Sequence, residues 1–286
     1  MPFETNELLF QPPGHFYSPI GDRTEMRQHF ARLEAAMPRS VPGIRIDDGA
    51  MLALWNILVR AMSDCSFPEH ASHTHRYHFE NDMYSYGDAL VYRSMLKHVR
   101  PERLIEIGSG YSSAVALDTR DEIGAPRSIT FVEPYPDALH RMLRETDRAR
   151  VRMLVDKVQN VALDVFAELC AGDVLFVDSS HVIKTGSDVQ FIIWRIVPSL
   201  KPGVIVHFHD VFWPFEYPPG WAIDENRSWN EVYVLWAFLA YNAGFEIVFF
   251  NDYFFRFFTA QATRMSPLFA RNPGGGLWIR KLSVVG

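Results

Sequence analysis

The sequence predicts an α/β protein: a doubly wound, seven-stranded, mostly parallel sheet with an antiparallel last strand, preceded by a helical and irregular N-terminal extension. Three observations lead there. From about residue 100, short runs rich in β-branched and aromatic residues alternate with longer helical patterns, as βαβ units require. The middle runs, VLFV at 174–177 and VIVHF at 204–208, are largely apolar without alternation, as strands covered on both faces must be. The first run ends in a glycine turn, GSG at 108–110, directly before a helical stretch.

The elements follow in order. Residues 1–80 are read as an extension packed on the sheet domain and a candidate lid over its ligand. Pro12, Pro13, Pro19, Pro38 and Pro42 divide it into turns and short helices, with helical patterns at Arg23–Met37 and Gly49–Met62. A histidine-rich connection, EHASHTHRYHFEND, then leads to a helix over Tyr86–His98. Residues 81–286 form the sheet domain. Its predicted strands are Arg103–Ile107, Ser128–Val132, Val151–Leu154, Val174–Val177, Val204–Phe208, Phe245–Phe250 and Leu277–Arg280. Helices are predicted between them over Ser112–Asp118, Pro136–Thr146, Asn160–Ala171, Ser187–Leu200 and Trp229–Ala243. The connection before the last strand shows no evident helical period and ends in Asn272-Pro273-Gly274-Gly275-Gly276, so the final pair is expected to be antiparallel.

Composition narrows the class. With 286 residues and 48% hydrophobic content the chain can bury a sizeable core. The net charge of −6 is spread along the length with no basic block, which argues against nucleic-acid or anionic-membrane partners. Cys65 and Cys170 make no disulfide framework and fit a reducing cytoplasm. The N-terminal residues lack a secretory pattern, and Asn242, Gly244 and Glu246 interrupt the most apolar stretch, 232–250. The expectation is a soluble cytoplasmic protein with a small-molecule substrate; homo-oligomerisation is left open.

The stretch RLIEIGSGYSS at 103–113 combines strand, glycine loop and helix start. Gly108 and Gly110 let the backbone approach a ligand, and Ser112 and Ser113 are placed to cap a helix whose free N–H groups suit an anion. Glu106 precedes the loop. Glu133 ends the next strand, where a carboxylate can hold both hydroxyls of a ribose. A nicotinamide enzyme would also place an acid there, but the third glycine of that fingerprint is missing.

At these residues, over roughly 85–286, the chain resembles the class I S-adenosylmethionine-dependent methyltransferases, with their Rossmann-like sheet. The resemblance implies that Glu106, Gly108, Ser109, Gly110, Tyr111 and Ser112 contribute to the cofactor site, that Glu133 binds the ribose, and that Gln159 and Asn160 lie near the adenine.

Two strands end in polar residues: Asp178 after VLFV, and His209-Asp210 after VIVHF. In a doubly wound sheet these ends face the ligand crevice. Asp178, His209 and Asp210 thus form a candidate oxygen- and nitrogen-donor set for Mg²⁺, Mn²⁺ or Fe²⁺, with His181 and Asp178 as the candidate catalytic residues, His181 the base, and Asp178 also at both cofactor and metal. The pattern Asp178-x-x-His181, Asp188 and LKPGVIVHFHD resembles bacterial metal-dependent O-methyltransferases acting on sugars of natural products. That resemblance implies metal binding by Asp178 and the 209–210 pair and proton removal by His181. His209 departs from it, standing where those enzymes carry a carboxylate.

Other readings remain at this point. Polar strand ends also serve as caps. His181, His209 and Asp178 or Asp210 match the two-histidine, one-carboxylate face of a non-haem Fe(II) oxygenase, and a non-catalytic binding module needs none of these roles. His207, alternating with His209, reads as a buried, hydrogen-bonded histidine. His70, His73, His75 and His78 read as a mobile polar loop, and Lys184 and Thr185 as substrate contacts or surface residues. The aromatic stretch DVFWPFEYPPGW at 210–221 offers Phe212, Trp213, Phe215, Tyr217 and Trp221 as flat walls for a substrate or as packing, with GHFYSP at 14–19 a candidate cover.

Overall fold

The structure, a computed structural model, describes residues 9–283; the first eight residues of the predicted extension and the last three of the sheet domain lie outside the described residues. Seven strands form one sheet in the order β3-β2-β1-β4-β5-β7-β6. They are β1 (Arg103–Ile107), β2 (Ser128–Val132), β3 (Val151–Leu154), β4 (Val174–Val177), β5 (Ile205–Phe208), β6 (Phe245–Phe250) and β7 (Leu277–Lys281). β1 to β5 pair in parallel, and β7 runs antiparallel to both β5 and β6. β4 and β5 are buried at every position, which accounts for their unbroken apolar sequences.

The helices depart from expectation more than the strands do. The pattern predicted over Pro136–Thr146 is split into Asp137–Met142 and Glu145–Arg148. The one predicted over Asn160–Ala171 shrinks to Leu163–Ala167. Three short helices, Asn251–Phe257, Thr259–Met265 and Pro267–Arg271, fill the connection where none was expected. Each spans at most two turns, too short for a period to emerge from such an aromatic stretch.

The extension shares its core with the sheet. Its helices Arg23–Ala35 and Asp48–Ser63 are capped by Asp22 and Asp47, each accepting from backbone N–H groups of the first turn. Trp55, fully buried, lies against Phe249, Phe254 and Phe269 with ring centroids 4.5–6.2 Å away. The Trp213 indole donates to the Pro38 carbonyl at 2.7 Å and the Trp236 indole to the Pro42 carbonyl at 3.1 Å. Among the described residues no helix is long and apolar enough to cross a membrane.

Candidate functional site

The register of the sheet brings the predicted residues into one row. Val132 pairs with Ile107, Ile107 with Val177, and Val177 with Phe208. The next residue on each strand is therefore Glu133, Gly108, Asp178 and His209, side by side at the carboxyl edge. β1 and β4 lie where the strand order reverses, the place where open α/β sheets bind ligands. A cavity of about 980 Å³ opens over this row, at the upper end of the usual size for a small-molecule site.

Gly108, Ser109, Gly110, Tyr111, Ser112 and Glu133 line the cavity. Gly108 has φ +83°, and a Cβ there would stand 2.2 Å from the Asp178 carbonyl oxygen, so the crossing of β1 and β4 admits only glycine. A Cβ on Gly110 would meet no protein atom within 4 Å. The helix Tyr111–Ile123 starts at this loop. The Glu133 carboxylate accepts from the Ser109 hydroxyl at 3.1 Å and the Tyr135 N–H at 2.7 Å.

Three predicted cofactor residues, Glu106, Gln159 and Asn160, do not line the cavity. Glu106 is fully buried behind the loop, accepts from the Ser112 and Ser113 hydroxyls at 2.6 and 2.7 Å, and is pushed up to about 8 by burial. It braces the loop from below. The Gln159 amide donates instead to the Gly186 carbonyl at 2.9 Å.

The imidazoles sit inside a ring of carboxylates. His181 Nδ1 lies 2.9 Å from the buried Glu231 carboxylate, while its Nε2 faces Asp178 at 3.3 Å and Asp210 at 3.6 Å. His209 Nδ1 faces Asp178 at 3.4 Å, and its Nε2 faces Asp210 at 3.5 Å and Asp88 at 3.7 Å. Burial alone would lower both imidazoles, but the surrounding carboxylates win: His181 is raised to about 10 and His209 well above its ordinary value. Asp178 is held well below the usual carboxylate range by His209 and His181 against its own burial, whereas burial raises Asp210. His181 and Asp210 both have left-handed backbones, φ +58° and +57°, conformations that His and Asp tolerate better than most residues. Strain of this kind concentrates at functional sites.

The predicted donor triad is assembled but does not converge on one point. A neutral imidazole has one lone pair, yet His209 addresses Asp178 through Nδ1 and Asp210 through Nε2. Its ring fills the space between the carboxylates. Among the described residues no three His, Cys, Asp or Glu side chains are arranged to hold a metal ion, which bears equally on the two-histidine, one-carboxylate face. His207 is buried as expected but finds no hydrogen-bond partner among the described residues; it packs against Phe176 and Trp278 at 4.4 Å, and burial lowers it.

Much of the cavity wall comes from segments whose residue pattern assigns them no firm role. His73, His75 and His78 line it, and their loop is anchored rather than free. Between them the Arg76 side chain, 2% exposed, binds Asp118 at 2.6 Å, Asp147 at 2.7 Å and Asp121 at 2.9 Å. Of the five predicted aromatic walls only Trp221 reaches the cavity; Trp213, Phe215 and Tyr217 are buried in the core. Phe16 and Tyr17 are exposed and line nothing there. Lys184 and Thr185 also stay outside the cavity lining.

The missing wall is the segment Arg227–Glu231. Its Asn230 and Glu231 N–H groups donate to the His181 carbonyl at 3.0 and 3.1 Å, and Asn230 Oδ1 accepts from the Ile183 N–H at 2.6 Å. Trp229 packs on the His181 ring with centroids 4.4 Å apart. This segment therefore fixes His181 from three directions: carbonyl, ring face and Nδ1.

Residues 105–211 match a protein family described as a methyltransferase domain. An uncharacterized protein of Archaeoglobus fulgidus is 34% identical over 164 residues, which cover 55% of this chain and 73% of that protein. Among solved structures, the Podospora anserina methyltransferase PaMTH1, bound to SAH, is similar over 91% of this chain and 96% of its own, with TM-score 0.43 and 16% identity. The O-methyltransferase TomG from Streptomyces achromogenes, involved in Tomaymycin synthesis and solved with SAM, is similar over 92% and 100%, with TM-score 0.41 and 12% identity.

Proposed function

The chain belongs to the class I S-adenosylmethionine-dependent methyltransferases, and from that premise we propose that it methylates a hydroxyl of a small ring-bearing molecule, such as a glycosylated or phenolic natural product, with His181 as the base. The observation that carries this reading is the placement of His181. Its Nδ1 is engaged by Glu231 and its Nε2 is directed to the cavity side, in the same cavity as the glycine loop. A histidine oriented by a buried carboxylate serves as a general base in its neutral form, which the surrounding acids make strongly basic.

The loop residues fit the cofactor. The space above Gly110 accepts a ligand where a side chain would intrude, the helix start at Tyr111 offers free N–H groups, and Glu133 offers a carboxylate for the ribose hydroxyls. When bound, S-adenosylmethionine supplies an electrophilic methyl group. Asp178, ionised at neutral pH, and Asp210 lie beside His181 and favour a neutral or cationic group there. Among the described residues Asp178, His209 and Asp210 are not arranged as a metal site, and we assign proton removal to His181 alone.

Two glycine variants separate support from contact. Gly108→Ala should cost about 2–4 kcal/mol of stability, from left-handed strain plus the clash with Asp178. Gly110→Ala should melt within about 0.5 kcal/mol of the parent but bind S-adenosylmethionine more weakly, as calorimetric titration would read. Equal affinity for Gly110→Ala and the parent would move the cofactor away from this loop.

Glu133→Ala should weaken cofactor binding by about 1.5–3 kcal/mol, the range for charge-assisted hydrogen bonds. Unchanged affinity would remove the ribose assignment. The reaction itself is tested by mass spectrometry of glycosides and phenols incubated with labelled cofactor, with and without EDTA. Transfer to oxygen that EDTA leaves untouched is expected. Loss of transfer with EDTA, restored by Mg²⁺ or Mn²⁺, would return Asp178, His209 and Asp210 to metal binding.

A further inference from the structure

We propose that the acceptor carries a negatively charged group, a carboxylate, recognised by Arg227, which lines the same cavity as the strand-end acids; this rests on the acceptor site being the one assigned above. Arg227 lines the cavity and its guanidinium lies over two indoles, 4.2 Å from the Trp221 ring centroid and 4.7 Å from that of Trp229. The two indoles meet edge-on, centroids 5.6 Å apart, and Trp229 is itself packed on His181. The guanidinium is therefore one ring removed from the base.

Stacking on aromatic faces holds a guanidinium in place while its N–H donors stay in the plane, available to a second partner. The partner present is weak. Glu225 takes Nε at 2.7 Å and Nη2 at 2.6 Å through a single oxygen, and its side chain is 50% exposed. Among the described residues Nη1 makes no hydrogen bond. Glu225 does not line the cavity, whereas Arg227 does. An incoming carboxylate can take the open side of the fork in the paired geometry that arginine favours.

Charge fixes the orientation. Four carboxylates, Asp88, Asp178, Asp210 and Glu231, surround the two imidazoles, an excess of negative charge that disfavours an anion there, so the acid end of an acceptor belongs at Arg227 and the neutral hydroxyl end at His181. The two indoles line the same cavity and offer apolar surface to the ring between these ends. A flat hydroxy acid satisfies all three.

The test uses matched probes: para-hydroxybenzoate and para-hydroxycinnamate, each against its primary amide, titrated into the full chain loaded with S-adenosylhomocysteine. The acids should bind about tenfold or more tightly than the amides, the worth of one charge-assisted pair. Arg227→Met should bring the acids down to the amides while S-adenosylhomocysteine affinity stays put. Glu225→Gln should tighten the acids and leave the amides unchanged, an effect that a merely structural Arg227 would not produce. Equal binding of acid and amide, no binding of either, or an acid preference that survives Arg227→Met would overturn the proposal. Labelled methyl transfer, followed in parallel, keeps the two readings apart. Acid preference without transfer to oxygen leaves the clamp and removes O-methylation, while transfer to acid and amide alike does the reverse.

Discussion

Replacing His181 with asparagine should slow methyl transfer near pH 10, where the parent imidazole is free to accept a proton, by roughly 10²–10⁴-fold, the usual worth of a positioned base, with cofactor affinity unchanged. Asparagine is the informative replacement because the residue has φ +58°. Alanine at such a backbone adds strain, whereas asparagine adopts it readily. Alanine also leaves the Glu231 carboxylate, 1% exposed, without its partner, a loss of on the order of 3–5 kcal/mol when a buried ion pair is broken. A slow alanine variant would therefore confound chemistry with folding. The amide of asparagine can still donate toward Glu231 but accepts no proton at neutral pH. Single-turnover rates with saturating cofactor decide the matter. A variant within threefold of the parent would leave His181 with a positioning role only.

The strand framework was legible because apolar runs of this length bounded by glycine, proline or charge have few other uses. β1, β2, β3, β4 and β6 match the predicted bounds, and the last strand is antiparallel as expected, although three short helices fill the connection read as helix-free. The polar strand ends were legible for the same reason: Asp178 and His209 interrupt runs that burial would otherwise extend. Their neighbours were not. Glu231 reads as an ordinary acid in the first turn of the helix Glu231–Leu239, a favourable position on any exposed helix. Only the docking of that helix start on the His181 carbonyl buries it. The histidine-rich loop shows no period because its order comes from Arg76 reaching acids in two distant segments. The sequence contained one usable hint for the Arg227–Glu231 wall. An arginine between two tryptophans, WAIDENRSW, is a stacked guanidinium waiting for a partner.

Glu231→Gln should change the shape of the pH–rate profile, not merely its height. Glutamine keeps the volume and an oxygen for the Ser179 hydroxyl, which now donates to Glu231 at 3.0 Å. What it removes is one of the charges that raise His181 to about 10 against the opposing effect of burial. The groups facing this imidazole are Glu231 at Nδ1, Asp178 and Asp210 at Nε2, and the uncharged ring of Trp229. Only neutral imidazole accepts a proton. In the parent, kcat/KM should therefore climb about tenfold per pH unit from neutrality and level off near pH 10, since kcat/KM reports groups of the free enzyme. With one carboxylate gone the imidazole loses its proton at lower pH, so the variant's profile should level off earlier. Above pH 10 the variant should be slower, by roughly tenfold, because a weaker base transfers the proton less readily. Toward neutral pH the gap should narrow, because more of the variant's imidazole is already neutral. A carboxylate that only packs would lower both limbs by one factor at every pH. Parallel profiles would therefore reduce Glu231 to packing, whereas a shifted midpoint, checked by titrating the His181 ring protons by NMR in the free protein, assigns it to tuning the base.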